Sequence, residues 1–302
     1  MRRLILLCSC ALLALTVACS SNSTDPSESE GSKSTTTRAP APDQTPPKSI
    51  NGITVDGDTL WVASIAGDEV LQISISDGSI LQRFDANGAT PDDVDLAPDG
   101  SIWVAGFGNG DLARIHEGEY ERITNIKEGL NPIAVDAKGI VWVGTYGPAG
   151  DLFRIDPSEV DPDTSFEWSP VVTGLPDINA FGILADGRIV APSLGTDGPS
   201  SAVLIDPTSG DISELATGLP SVAAATVDSD GTPYVLANLT GEVFRIDVEN
   251  KTSKSVYKVS EGAPFDNLAF GDDGTLYLSS FIAPTITAVD PSGVVRVIKI
   301  GG

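Results

Sequence analysis

From about Ile50 to Ile300 the chain alternates short apolar runs with Asp/Gly turns, and one arrangement of the two recurs. Its copies read INGITVDGDTLWVAS, PDDVDLAPDGSIWVAG, NPIAVDAKGIVWVGT, INAFGILADGRIVAPS, SVAAATVDSDGTPYVLAN and FDNLAFGDDGTLYLSS. Each predicts a strand, a tight turn and a second strand. Aligned on Trp61, Trp103, Trp142, Val190, Tyr234 and Tyr277, the intervals are 42, 39, 48, 44 and 43 residues. Shortly after each copy comes a third run: GDEVLQIS, GDLARIH, GDLFRID, SAVLID, GEVFRID or TITAVD. A polar turn and a fourth, more polar run follow, such as ILQRFD, YERITNI or VVRVIKI.

Four strands in a unit of about 43 residues, repeated six times, predict an all-β, six-bladed β-propeller over residues 49–302, with four antiparallel strands per blade. First strands such as GITV, VDLA, PIAV and NLAF are nearly all apolar or small, as innermost strands covered on both faces should be. Fourth strands carry Lys, Arg and Glu, suiting a wet outer edge that must not pair with another chain. No strand is left over, so the ring is expected to close by packing blade six on blade one, without a shared sheet. The long link DPSEVDPDTSFEWSP in blade three is expected opposite the first-strand starts, with Trp168 covering local apolar surface.

Ahead of the repeats, Arg2 and Arg3 precede the apolar run LILLCSCALLALTVA, an export signal over residues 1–18. Its end, TVAC, resembles a bacterial lipobox, which implies lipidation of Cys19; ordinary secretion is the alternative. The expected place is therefore the outer, extracytoplasmic face of a bacterial cell membrane, held there by lipid alone, or the medium. Residues 19–48 are rich in Ser, Thr and Pro and read as a disordered tether with a reach of about 30 Å. All three cysteines, Cys8, Cys10 and Cys19, fall in or beside the signal, so the exported domain has no disulfide. Lys and Arg number 18 against 42 Asp and Glu, a net charge of −24, which argues against nucleic-acid partners. A monomer is expected.

Each first strand is preceded by a polar position: Asn51, Asp92, Asn131, Asn179 and Asp266, with Ala223 in blade five. First strands run side by side around a propeller's channel, so these side chains should converge at one mouth. Two readings fit. Asp and Asn favour turns for local reasons, or they form a ligand or metal site whose hard oxygens suit Ca²⁺. The loops between second and third strands open on the same mouth and bring Phe107, Tyr146 and Phe281 as an apolar wall, with Asn267 beside Asp266 as a further substrate contact. The lone histidine, His116, ends a third strand and reads as a surface position. The sequence has no thiol nucleophile in the domain and no phosphate loop.

The strand starts FDNLAFGDDGTLYLSS and LNPIAVDAKGIVWVGT resemble those of the gluconolactonase, senescence-marker and luciferin-regenerating family, and more distantly paraoxonases and strictosidine synthases. That resemblance implies a divalent cation, commonly Ca²⁺, at the mouth, which polarises a lactone or ester carbonyl while a carboxylate activates water. The family's pattern has Glu in blade one, Asn in three and four, and Asp in five; here stand Asn51, Asn131, Asn179 and Ala223. The amides match and the acids do not. Asp266 and Asp92 would then supply the charge and the general base, with Asn131, Asn179, Asp266 and Asn51 as metal ligands. The blades also resemble NHL-type and virginiamycin-lyase-type propellers, some of which only bind. Two functions follow: a lactone or ester hydrolase, or a lipid-anchored binder of a small ligand, peptide or cell-wall component.

Overall fold

The computed structural model describes residues 41–161, 167–194, 199–260 and 263–301. The leader, Cys19 and most of the tether lie outside them. Blade one comprises β1 (Ile53–Asp56), β2 (Thr59–Ser64), β3 (Glu69–Ser74) and β4 (Ile80–Asp85). Blade two has β5 (Pro91–Leu96), β6 (Ile102–Gly106), β7 (Asp111–His116) and β8 (Glu119–Asn125). Blade three has β9 (Leu130–Val135), β10 (Val141–Thr145), β11 (Gly150–Ile155) and β12 (Val172–Leu175). Blade four has β13 (Gly182–Ile183), β14 (Ile189–Ser193), β15 (Ser200–Ile205) and β16 (Ile212–Leu219). Blade five has β17 (Val222–Val227), β18 (Pro233–Ala237), β19 (Glu242–Asp247) and β20 (Thr252–Lys258). Blade six has β21 (Leu268–Phe270), β22 (Leu276–Ser279), β23 (Thr285–Val289) and β24 (Val295–Lys299).

Each blade is a separate four-stranded antiparallel sheet made from consecutive strands, so the six-bladed propeller read from the repeat is the fold. The repeat's turn glycine explains why the copies keep it. Gly57, Gly100, Gly139, Gly187, Gly231 and Gly274 all have φ between +55° and +87°. A side chain in that left-handed region clashes with the following carbonyl, and glycine does not.

The core lies between blades. Ile53, Leu60 and Val62 pack on Tyr277, Ile286 and Ile298, joining blade one to blade six. Comparable layers separate every other neighbouring pair, as where Trp61, Val70 and Phe84 meet Val94, Ile102 and Val104. Second strands, flanked on both faces, are buried almost throughout, whereas β20 is exposed along nearly its whole length.

The ring does close without a shared strand, and a second device reinforces the seam. The side-chain amide of Gln44 forms a bridge with Ile80, accepting from its N–H at 2.9 Å and donating to its carbonyl at 2.8 Å. Arg83 donates from Nε to the carbonyl of Asp43 at 3.0 Å and from its other end to Thr45. Gly301 packs against the Gln44 carbonyl, where a Cβ would not fit. Residues 43–45, which composition assigns to the tether, thus belong to the folded unit. Hydrogen bonds between their backbone or side chains and those of blade one hold them.

In blade three the long link includes a 3-10 turn at Pro157–Glu159, and residues 162–166 of it lie outside the described part. Trp168 packs on the apolar layer between blades two and three and donates from Nε1 to Thr124 Oγ1 at 3.1 Å.

Candidate functional site

The strand starts are built in two ways. In blades two, three and five a register shift interrupts the pairing of the first strand with the second, spanning Asp92, Asn131 and Ala223 respectively. Such β-bulges re-aim a side chain that strict alternation would send elsewhere. In blades one, four and six the corresponding Asn51, Asn179 and Asp266 lie just before the first strand.

The polar side chains form a connected arc. Asn131 donates from Nδ2 to Asn179 Oδ1 at 2.7 Å, and Asn179 donates in turn to the Asp266 carbonyl at 3.2 Å and to Oδ1 at 3.4 Å. From the other side the Asn51 amide also bonds to the Asp266 carboxylate. Asn51 is itself oriented by donors to its Oδ1, the Ser49 hydroxyl at 3.1 Å and the Ile65 N–H at 3.3 Å. The arc passes over blade five, where Ala223 is buried and has no polar group, because Asn179 of blade four reaches Asp266 of blade six directly.

Asp92 differs from the rest. It is only 5% exposed, and no hydrogen bond reaches its carboxylate among the described residues. Burial pushes it well above the usual carboxylate range, and the charge of Asp266 pushes it further. Burial raises Asp266 to about 6, against the pull of the amides of Asn51 and Asn179, which favour its ionised form. Both shifts are upward, as two carboxylates sharing a poorly solvated mouth require. No lysine or arginine acts on either group.

A second pair of acids, missed from sequence, lies deeper in the channel. Asp93 accepts from Val94 N at 2.9 Å, Ile133 N at 3.1 Å and Asn267 Nδ2 at 2.8 Å. Asp95 accepts from Val135 N at 2.7 Å and from the Thr54 hydroxyl at 3.3 Å. Burial raises Asp93 well above its ordinary range and Asp95 to about 6. Both bridge the innermost strand of blade two to that of blade three, and with Thr54, Thr226 and Asn267 they line a channel cavity of about 230 Å³. The alternation D-V-D within an apolar strand was a usable signal for both. Asn267, expected to touch a ligand, lines this cavity with its amide engaged, donating to Asp93 and accepting from the N–H of Leu268 at 2.7 Å. The approach of blade six to blade two passes over Gly52, where a Cβ would collide with Asp93.

Above the polar floor stand Tyr146, 46% exposed, and Phe281, 38% exposed, joined by exposed Leu239 and Ile282; Phe107 is half-buried. His116 is exposed at the end of β7, away from this mouth.

The oxygen donors suit a hard cation in kind: two carboxylates and the Oδ1 of Asn131, which accepts no hydrogen bond among the described residues. Asn179 and Asn51 fit less well, because their oxygens already accept hydrogen bonds. Among the described residues no three His, Cys, Asp or Glu gather as metal ligands, so a cation here would draw on amide oxygens and water as well.

The chain matches no family profile and no curated protein. Solved structures share its architecture. A gluconolactonase from Xanthomonas campestris aligns with a TM-score of 0.63 at 14% identity, over 83% of this chain and 87% of that one. In fold, this chain is a six-bladed propeller similar to that gluconolactonase. Regucalcin of Agrobacterium tumefaciens, a calcium-binding protein, aligns with a TM-score of 0.60 at 17% identity, over 78% and 83%. Virginiamycin B lyase of Staphylococcus aureus, in a catalytically inactive histidine-to-alanine form with quinupristin, aligns at 0.53 and 16%, over 83% and 84%. At such identities the common property is the propeller.

Proposed function

We propose that the chain is an exported propeller, anchored through Cys19 to the outer face of a bacterial membrane, that hydrolyses a lactone or ester at its channel mouth with the help of a divalent cation. The observation carrying this reading is the Asp92–Asp266 pair: two buried carboxylates at an open mouth, one of them without any donor, and no basic residue to neutralise them. Asp92, Asp266 and the Oδ1 of Asn131 would hold the cation. A bound Ca²⁺ supplies Lewis-acid polarisation of a carbonyl and offsets the paired negative charge.

Asp266 serves as the general base. Burial raises its basicity, which suits it to take a proton, and a bound cation would favour its ionised form. The amides of Asn51 and Asn179 fix its orientation. Water attacks the carbonyl carbon and loses a proton to Asp266; the carbon–oxygen bond to the leaving alkoxide breaks, and that alkoxide recovers the proton, giving acid and alcohol. Tyr146 and Phe281 cover the apolar part of the substrate. The chain's one histidine, His116, is exposed at the end of β7, so the base proposed here is a carboxylate.

Calcium titration of the purified propeller by calorimetry, paired with a panel of lactones and aryl esters, tests this. Saturable binding is expected, with metal-dependent turnover that Asp266→Ala reduces by about a hundredfold or more. No calcium binding at millimolar concentration overturns it. Ala223 favours a second reading, a binder without chemistry, because it leaves blade five with no acid. Saturable ligand binding with no turnover under any metal would select it.

A further inference from the structure

Every loop between a second and a third strand starts with a large apolar side chain: Ile65, Phe107, Tyr146, Leu194, Leu239 and Phe281 in blades one to six. One hydrogen-bond pattern holds these residues beside the polar arc. The N–H groups of Phe107, Tyr146 and Leu194 donate to the carbonyls of Thr90, Gly129 and Asp177, each two residues ahead of the polar position of its own blade. In blade five Asn238 makes that bond, to Ser221, and Leu239 follows it. In blade six the Ser280 hydroxyl donates to the Pro264 carbonyl at 3.2 Å, two residues ahead of Asp266, and Phe281 follows. In blade one the Ile65 N–H donates to Oδ1 of Asn51 itself at 3.3 Å. Equivalent positions of a closed ring meet around its axis, so the six side chains form an apolar collar on the mouth.

The collar is particular to this face. At the opposite mouth, the turns between first and second strands expose no large apolar side chain. Around the acidic floor Tyr146, Leu239 and Phe281 are exposed and the other three half-buried. Apolar surface held in water is unfavourable in proportion to its area, and a ring of it around a polar site marks where an apolar occupant goes. The floor sets the occupant's charge. Asp92 and Asp266 stand there with no lysine or arginine acting on them, which repels an anion, and Asp92 accepts no hydrogen bond among the described residues. The amides of Asn51, Asn131 and Asn179 already donate within the arc. A polyhydroxylated ligand would bring its hydroxyls against the collar, where they lose water without gaining partners.

We propose that the collar selects an uncharged lactone or ester carrying an apolar chain, with Ile65, Phe107, Leu194 and Leu239 joining Tyr146 and Phe281 as specificity-determining residues. This rests on reading the mouth as a hydrolytic site, and it names the substrate class of that site. The carbonyl group lies at the acids and the chain lies against the collar, so sugar lactones and anionic esters are poor ligands.

Calorimetric titration in chelator with γ-butyrolactone, γ-hexalactone, γ-octalactone, γ-decalactone and freshly dissolved glucono-δ-lactone tests the collar apart from metal-dependent turnover. Affinity is expected to rise about twofold to fourfold per methylene, the upper figure corresponding to full burial, and gluconolactone is expected not to bind. Leu239→Ser and Phe281→Ser, both at exposed positions, should flatten that rise. Val294→Ser, exposed at the turn between β23 and β24 on the opposite face, should leave it unchanged. In calcium the same order is expected in kcat/KM, carried by KM. A chain-length rise in chelator with no turnover in calcium would sustain the collar while removing the hydrolase. Turnover without a chain-length rise, tighter binding of gluconolactone than of decalactone, or a rise that both collar variants leave intact would overturn the collar while leaving the hydrolase standing. Absence of binding by every lactone of the series overturns the collar as well.

Discussion

A carboxylate buried at the channel mouth with no donor, as at Asp92, destabilises the fold at neutral pH. The native state favours its neutral form, so its contribution is present below the unfolded value near pH 4 and is lost as the pH rises through the higher folded value. Asp266 and Asp95 act in the same sense, with the loss beginning near pH 4 and complete above about pH 6. Asp92→Asn imitates the neutral form at every pH. Scanning calorimetry in chelator should show this variant more stable than the parent at pH 8, by about 1 kcal/mol or more, and nearly equal to it at pH 4. A variant less stable by the same amount at both pH values would show that Asp92 has a donor in solution. The same variant should lose calcium affinity, which separates stability from binding at a single residue.

Among elements, the strand start of blade two holds the most function. The register shift at Asp92 sends it to the mouth, and Asp93 beside it also faces the channel, where it reaches Asn267 of blade six. Such reach is possible because Gly52 leaves room. The seam between blades one and six is the other element of interest. Gln44→Ala removes both bonds of the Gln44–Ile80 bridge, at roughly 0.5–1.5 kcal/mol each. Urea unfolding should lose about 1–2 kcal/mol in this variant, and an unchanged midpoint would mean that the seam is held by the Tyr277 and Ile286 layer alone.

Over the whole molecule, the chain's net charge of −24, which the ring carries, works against compactness through self-repulsion. The surface ion pairs are few and partly wet, such as Lys127–Asp151 at 2.6 Å with the lysine 56% exposed, and contribute little. Raising potassium chloride from about 10 to about 150 mM shortens the Debye length from about 30 to about 8 Å. The thermal midpoint at pH 8 should rise over that range, and the rise should shrink at pH 4, where many carboxylates are neutral. A midpoint indifferent to salt at pH 8 would show that the acids are too dispersed to interact.

Much of this was legible in the chain. Blade number, strand order and the turn glycines depend on local periodicity and on a left-handed backbone that only glycine tolerates well, and both are written residue by residue. The convergence of Asn51, Asp92, Asn131, Asn179 and Asp266 followed as well, because equivalent positions of a closed ring meet at its axis. The D-V-D alternation offered Asp93 and Asp95 on one face of an innermost strand, but not that Asp92 beside them turns to the mouth, since a one-residue bulge is decided by cross-strand register. Nor could it tell that Asn267 faces Asp93 across blade one. These depend on which neighbours arrive, and the neighbours come from other blades. Sequence by itself determined the ring and the polar residues offered to its axis; only the tertiary structure decided which of those groups bond to one another and which, like Asp92, are left without a donor.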